Sequence, residues 1–281
     1  MKNLIAIIAG EPNSINSELI AKTWKKIKKK KNIFIIGNFS LLKAQLIKLK
    51  LKIPLTKINR FEDFKEEGGL FVVDVPLKFK ELFNVSLANS RRHILECFEI
   101  AHNLAFKKKI IGFINAPINK KIFRNKYVGV TEYLSKLNKS KDKEVMLIYN
   151  YKLSVVPLTT HIEIKNITGK INLKLIERKI ITLNKFYFKI FKKKPKIAIL
   201  GLNPHNSENK FHSIENKIIK PAIFRLKKFK INISGPFPAD TAFNKKNLNN
   251  YNVIVGMYHD QVLAPFKALY AYDAVNITLG L

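Results

Sequence analysis

The chain has 281 residues, of which 47% are hydrophobic and 11% aromatic, so it can bury a sizeable core and is not intrinsically disordered. Its 52 lysine and arginine residues against 20 acidic residues give a net charge of +32. No apolar run approaches the ~20 residues of a membrane helix, and the single cysteine, Cys97, excludes an intrachain disulfide and favours the cytoplasm.

Short apolar runs rich in β-branched residues alternate along the chain with longer segments of helical period. The runs predict strands at residues 4–8, 33–36, 70–73, 110–114, 146–149, 153–157, 197–200, 231–234, 253–257 and 275–279. The longer segments predict helices at residues 15–30, 39–50, 86–108, 170–192 and 214–229. This alternation favours α/β layers around mostly parallel sheets. Strands 146–149 and 153–157 are too close for a helical crossover and predict an antiparallel hairpin, hence a mixed sheet.

The first turn and the basic residues have plain structural interpretations. Asn13 or Ser14, in the turn "AGEPNSINSEL", is predicted to cap the helix that follows. The basic residues are mostly lysines spread over helix ends and solvent faces, and no nucleic-acid-binding motif accompanies them. We therefore expect a solvated surface and no specific nucleic-acid partner, although the charge favours anionic small substrates. A non-catalytic protein that binds anionic polymers is the competing interpretation.

Three of the six histidines share one position relative to the predicted strands. His161 follows "LSVVPL", His205 follows "IAILG" and His259 follows "VIVGM". In open α/β sheets the ligand crevice lies beyond the carboxyl ends of the strands, so the three imidazoles can meet there and bind Zn²⁺ or a similar divalent metal. Alternatively, each histidine caps a turn or bonds locally, and the pattern by itself does not decide. Asp260 and Gln261 are candidates to orient the imidazoles.

Seven motifs occur in the order found in 4-hydroxythreonine-4-phosphate dehydrogenases, and the chain resembles that family from residue 3 onward. The motifs are "NAPINK", "TEYLS", "TTH", "GLNPH", "GPFPADTAF", "MYHDQVLAPFK" and "VNITLGL". The family acts in pyridoxal phosphate (vitamin B6) biosynthesis and is similar in fold to isocitrate and isopropylmalate dehydrogenases. The resemblance implies two α/β/α domains with mixed, largely parallel sheets. We expect residues 1–125 with 253–281 in one domain and 126–252 in the other, with the cleft between them.

The resemblance also implies the site residues. His161, His205 and His259 match the family's metal ligands, which come from both subunits of a homodimer. Thr131, Lys267 and Asn276 match substrate-binding positions, and Lys267 and Asp260 are predicted to act in catalysis. The cofactors implied are NAD, or alternatively NADP, and a divalent metal, Zn²⁺ or alternatively Mg²⁺, Mn²⁺ or Co²⁺; no residue is assigned to the nicotinamide cofactor.

The implied reaction is oxidation of 4-phosphooxy-L-threonine to a β-keto acid, which decarboxylates to 3-amino-2-oxopropyl phosphate. Val130 stands where members usually have histidine, so a dehydrogenase for another four-carbon phosphorylated hydroxy acid, such as threonate 4-phosphate, is the alternative. The sequence ends at Leu281, before the family's usual substrate-binding arginine, and thus resembles a C-terminally truncated member.

Overall fold

The computed structural model describes residues 4–27, 32–65, 69–124, 126–127, 129–138 and 143–281. Its strands are β1 Ile5–Ile8, β2 Ile33–Gly37, β3 Leu55–Ile58, β4 Leu70–Asp74, β5 Gly112–Asn115, β6 Val145–Tyr149, β7 Ser154–Pro157, β8 Ile197–Leu200, β9 Ile233–Phe237, β10 Val253–Gly256 and β11 Val275–Leu279. Its α-helices are α1 Asn16–Lys26, α2 Phe39–Lys48, α3 Leu87–Phe106, α4 Val130–Leu137, α5 Ile167–Lys170, α6 Leu173–Phe191, α7 Lys220–Lys228, α8 Ala239–Ala242, α9 Lys245–Leu248 and α10 His259–Tyr270.

The chain divides into two compact units, Met1–Gly129 and Val130–Leu281. The first unit contains a five-stranded sheet in the order β3-β4-β2-β1-β5, with every pairing parallel. Helices α1 and α2 cover one face, where Trp24 and Leu46 are buried with Ile35 and Leu70. Helix α3 contacts β1 and β2. Parallel strands buried in this way need near-continuous apolar runs, which is how "IFII" and "LFVV" read.

The second unit contains a six-stranded sheet in the order β11-β6-β7-β10-β8-β9. Its pairings are parallel except β11 with β6 and β6 with β7, which are antiparallel. One core cluster joins α6 and α7 to the sheet, as in the burial of Ile180 and Leu226 with Val255. Another joins α10, through Phe266, to Val155. The predictions of mixed, largely parallel α/β/α architecture and of the β6–β7 hairpin are confirmed.

The structure places residues 253–281 in the second unit, and not with residues 1–125 as the sequence analysis expected. The reason is strand pairing, because β10 lies between β7 and β8, and β11 is hydrogen-bonded to β6. The expected boundary at residues 125 and 126 lies near the observed one, although residue 125 itself is outside the described residues. So are residues 28–30, at the end of the predicted helix 15–30.

The predicted cap of α1 is wrong. Helix α1 has Ile15 at its N-cap with no side-chain cap bond. The Asn13 amide instead pairs with the backbone of Val85, donating to its carbonyl and accepting from its N–H, both at 2.8 Å. Ser14 donates to Asn16 Oδ1 at 3.3 Å. A long-range partner has therefore displaced the local cap. Among the described helices, none has the length and apolar character to cross a bilayer.

Candidate metal and substrate site

Three adjacent strands of the second unit, β7, β10 and β8, run parallel and therefore end at one edge of the sheet. Each strand is followed by one of the candidate ligands: His161 lies beyond β7, His259 begins α10 beyond β10, and His205 lies beyond β8. Because β10 is the middle strand, His259 lies between the other two loops. The strand order therefore places the three histidines on neighbouring loops at one sheet edge.

His161 and His259 form a pair whose ring centres are 5.9 Å apart. Two imidazoles on one tetrahedral Zn²⁺ have ring centres about 5 Å apart, given Zn–N distances of ~2.0 Å, so the pair fits one metal ion after a small adjustment. Asp260 Oδ1 lies 2.7 Å from His259 Nδ1. A proton shared in that bond leaves Nε2 of His259 as the lone-pair donor, the arrangement in which a carboxylate orients a metal-binding imidazole.

His205 occupies a different local structure, a left-handed turn. Four consecutive non-glycine residues, 205–208, have positive φ, and His205 itself has φ 48°. His161 also has a positive φ of 42°. Each such residue costs roughly 1–2 kcal/mol relative to the right-handed region and persists only where surrounding contacts hold it. Two of the three candidate ligands thus have strained backbones. In the described part of one chain, no three metal-ligating side chains form a ready metal cluster, so His205 does not complete the pair.

Hydrogen bonds tie the three histidine loops together. Thr159, before His161, donates from Oγ1 to the carbonyl of Met257 at 2.7 Å. Gln261, in the first turn of α10, accepts from Met257 N at 2.7 Å and donates to the carbonyl of Gly201 at 2.7 Å. These bonds link the loop after β7 to that after β10, and the loop after β10 to that after β8. The sequence analysis predicted an orienting role for Gln261; its contacts are with the backbone that carries the imidazoles.

The predicted substrate residues lie at two places in the second unit. Thr131 in α4 has its Oγ1 3.2 Å from Oγ1 of Thr278 in β11. Asn276 lies on the same strand two positions earlier, hence on the same face as Thr278, and is exposed. Thr131 and Asn276 are thus brought to one face of β11. Lys267 is exposed in the last turn of α10.

Glu215 is a residue that the sequence analysis missed. It is 0% exposed, and its Oε1 accepts from the backbone N–H groups of Leu202 and Asn203, both at 2.9 Å. The Asn203 amide donates to both carboxylate oxygens, at 3.2 and 3.3 Å, and Ser207 Oγ donates to Oε2 at 3.0 Å. Burial acts to raise the pKa of Glu215, but the bonds from Asn203 and Ser207 outweigh it and lower that pKa below its usual range.

The first unit has a small cavity of ≈ 20 Å³ at the carboxyl edge of its sheet, lined in part by Glu11, Ser17 and His93. Its volume suits about one water molecule. Burial lowers the pKa of His93 to about 4, against the opposing effects of the Pro76 carbonyl and Asp74. The thiol of Cys97 lies 3.7 Å from His93 Nε2, and burial raises its pKa. Both groups therefore stay neutral near pH 7.

The two three-layer α/β units are those of the dehydrogenases related to isocitrate and isopropylmalate dehydrogenases. Within that class the family model described as "Pyridoxal phosphate biosynthetic protein PdxA" matches residues 29–281. The chain belongs to this family, which confirms the resemblance found in its motifs.

Several similar proteins cover nearly the whole chain. A 4-hydroxythreonine-4-phosphate dehydrogenase of Aquifex aeolicus is 34% identical over 100% of this chain and 88% of its own length. A D-threonate 4-phosphate dehydrogenase of Salmonella typhimurium is 32% identical over 99% of this chain and 87% of its own length. The crystal structure of 4-hydroxythreonine-4-phosphate dehydrogenase from Klebsiella pneumoniae matches with a TM-score of 0.85 and 28% identity, over 99% of this chain and 88% of that one.

Proposed function

We propose that this chain is a metal- and NAD-dependent dehydrogenase that oxidises 4-phosphooxy-L-threonine in pyridoxal phosphate biosynthesis. The hydride leaves C3 for NAD, and the hydroxyl proton leaves as the ketone forms. The resulting β-keto acid loses CO₂, and a proton replaces the carboxylate to give 3-amino-2-oxopropyl phosphate. The observation that carries the proposal is the placement of His161, His205 and His259 beyond three adjacent parallel strands. The named relatives support the choice of reaction.

His161 and His259 would hold the metal ion on one chain, and His205 would supply the further ligand from a second copy in a homodimer. The 5.9 Å separation of the first two rings and the Asp260 contact support the pair. Three imidazoles suit Zn²⁺ best, with Co²⁺ or Mn²⁺ as substitutes and Mg²⁺ the weakest match. A divalent cation at this position supplies positive charge that favours ionisation of the substrate hydroxyl.

The chain's own side chains bind and orient the substrate. The Lys267 ammonium is exposed and cationic, suited to a phosphate or carboxylate of the substrate. Thr131 and Asn276, near one face of β11, offer neutral hydrogen-bonding groups for the substrate's polar atoms. Asp260 holds the His259 imidazole through its 2.7 Å contact and can accept a proton there. NAD supplies the hydride acceptor, and the protein contributes positioning and charge.

The single cysteine supports a cytoplasmic location.

A second substrate has one specific observation in its favour. Val130, at the start of α4 beside Thr131, replaces the histidine usual in the family with an apolar side chain. One relative at 32% identity acts on D-threonate 4-phosphate. Threonate 4-phosphate has a hydroxyl where 4-phosphooxy-L-threonine has an ammonium group, so the two substrates differ in charge next to the reacting carbon. Assay of both substrates decides between them.

The experiment that tests the proposed function is elemental analysis of the purified protein and of His161→Ala, His205→Ala and His259→Ala. His102→Ala serves as the control, because His102 lies in α3 of the first unit, outside the three histidine loops. We expect near-stoichiometric divalent metal in the wild type and the control, and its loss from the other three variants. NAD reduction with each phosphorylated substrate should follow metal content. A wild type that stays metal-free after reconstitution, with no NAD reduction, would contradict the proposal.

A further inference from the structure

We propose that Glu215 is a positioning residue that holds His205 in the orientation needed to bind the metal ion. This inference rests on the proposed function only in naming His205 a ligand. Glu215 lies ten positions further along the chain, in the first turn of the irregular helix Glu215–Ile219 that precedes α7. It has no contact with His205 of its own among the bonds described above; it acts through the residues on either side.

The bonds of Glu215 bracket His205. Asn203, two positions before His205, is held by its backbone N–H and by its side-chain amide. Ser207, two positions after, is held by its hydroxyl at 3.0 Å. With both flanks tied to one carboxylate, the histidine between them has little freedom to rotate the backbone that carries it.

The left-handed turn makes such a clamp necessary. Residues 205–208 have φ between 48° and 55°, a conformation that non-glycine residues adopt only when neighbouring contacts impose it. Nothing in "PHNSE" favours four successive left-handed residues by itself. A second tie comes from Asn206, whose amide donates to the carbonyl of Pro236 at 2.9 Å. The carboxylate is nevertheless the centre of the network, since it accepts five of the bonds that fix the loop from 202 to 207.

Burying an ionised carboxylate costs free energy, because the group loses its contacts with water. Its charge must be offset by hydrogen bonds, which here come almost wholly from the loop that carries His205. The negative charge also strengthens each N–H bond that defines the loop. Removal of a group that hydrogen-bonds a metal ligand typically costs 10–100-fold in metal affinity. Glu215 would act one step further out, through Asn203 and Ser207.

The test compares Zn²⁺ affinity, by competition with a chromophoric chelator, for wild type, Glu215→Gln and Glu215→Leu. Gln keeps an acceptor for the Leu202 and Asn203 N–H groups but loses the charge. We therefore expect the Zn²⁺ affinity to fall roughly tenfold in Glu215→Gln and up to about 100-fold in Glu215→Leu.

Two control variants separate a positioning effect from a general loss of charge or of stability. Glu208→Gln removes an exposed charge from the same loop, and Leu226→Ala creates a cavity in the core of the same unit. Both should bind Zn²⁺ within about twofold of wild type.

Hydrogen exchange of the metal-free protein supplies a readout that does not depend on the proposed function. We expect faster exchange at residues 202–208 in Glu215→Gln, with the rest of the second unit unchanged. Zn²⁺ affinity within twofold of wild type in Glu215→Gln would overturn the proposal, as would an equal loss in Leu226→Ala. If the wild type binds no metal at all, the proposed function fails. Hydrogen exchange then decides whether Glu215 positions the turn. Faster exchange at residues 202–208 in Glu215→Gln supports that role, and unchanged exchange there overturns it.

Discussion

Gln261 donates from Nε2 to the carbonyl oxygen of Gly201 at 2.7 Å, joining the helix that begins at His259 to the loop that leads to His205. The other end of the same amide, Oε1, accepts from the N–H of Met257 at 2.7 Å. Met257 is 0% exposed, so water cannot replace that acceptor. One side chain thus satisfies backbone groups on two of the three histidine loops and fixes their separation.

Replacing Gln261 with Met, of similar length but with no hydrogen-bonding amide, should therefore affect both stability and metal binding. The Met257 N–H would lose its side-chain partner while buried, and we expect a loss of about 2 kcal/mol in the free energy of unfolding. The two loops would also lose their tie, which should weaken Zn²⁺ binding by roughly tenfold. Urea unfolding and chelator competition measure the two effects.

The control for Gln261→Met is Ala264→Ser, an exposed position on the same helix. It should change the unfolding free energy by less than about 0.5 kcal/mol. Unchanged Zn²⁺ affinity in a folded Gln261→Met protein would show that the bond to Gly201 does not position the metal ligands.

How far the sequence predicts this fold depends on how local the determining contacts are. Strand β8, which precedes His205, follows from a uniform apolar run, and both β8 and β11 begin and end as predicted. Strand β3, "LTKI", was missed because its lysine and threonine break the apolar run. Helix α10 was missed because Pro265 lies inside it, and proline normally ends a helix pattern.

The candidate site was predictable to a different degree. Strand ends place histidines at one sheet edge, so their neighbourhood could be inferred from sequence order and topology rules. The contacts of Glu215 could not, because its partners, Leu202, Asn203 and Ser207, lie 8 to 13 positions earlier in the chain, and a glutamate in a predicted helix looks like any surface glutamate. The left-handed turn at residues 205–208 contains no glycine, the residue that would have indicated positive φ in the sequence. The contacts of Glu215 and the left-handed turn both depend on tertiary contacts, which amino-acid composition and hydrophobic periodicity do not predict.

Lys267→Ala should weaken substrate binding more than it changes metal content. A charge-assisted bond to a phosphate or carboxylate is worth about 1.5–3 kcal/mol, which corresponds to roughly a 10–100-fold rise in KM. Steady-state kinetics with 4-phosphooxy-L-threonine measure this effect. Lys170→Ala, which removes an exposed lysine from α5 of the same unit, accounts for the change in overall charge and should leave KM unaltered. Equal KM values for wild type and Lys267→Ala would remove Lys267 from the substrate site.

Val130→His restores the side chain usual in the family and should favour 4-phosphooxy-L-threonine. One added hydrogen bond of about 1 kcal/mol predicts a rise in kcat/KM of several-fold for that substrate, measured against threonate 4-phosphate. Val130→Phe is the matched variant, since it adds a ring without a ring nitrogen. If Phe shifts the substrate ratio as much as His, the effect is one of volume and not of hydrogen bonding.

His93 gives the protein a pH dependence that is independent of the metal site. It is 4% exposed, with Nδ1 3.3 Å from the Pro76 carbonyl, and its pKa in the folded protein is about 4. In the unfolded chain His93 has the ordinary pKa of ~6.5. As the pH falls below that value, the unfolded chain binds a proton at His93 while the folded protein does not. The stabilisation is therefore complete above about pH 6.5 and is lost as the pH falls towards 4, with a total of about 3 kcal/mol at stake.

His93→Gln removes this titration while keeping an amide that can donate to the Pro76 carbonyl. We expect the free energy of unfolding of the variant, followed by urea titration from pH 7 to pH 4.5, to fall less steeply than that of wild type. His102→Gln, at a half-buried position on the same helix, is the control and should leave the wild-type slope intact. Parallel curves for wild type and His93→Gln would show that folding does not lower the pKa of His93.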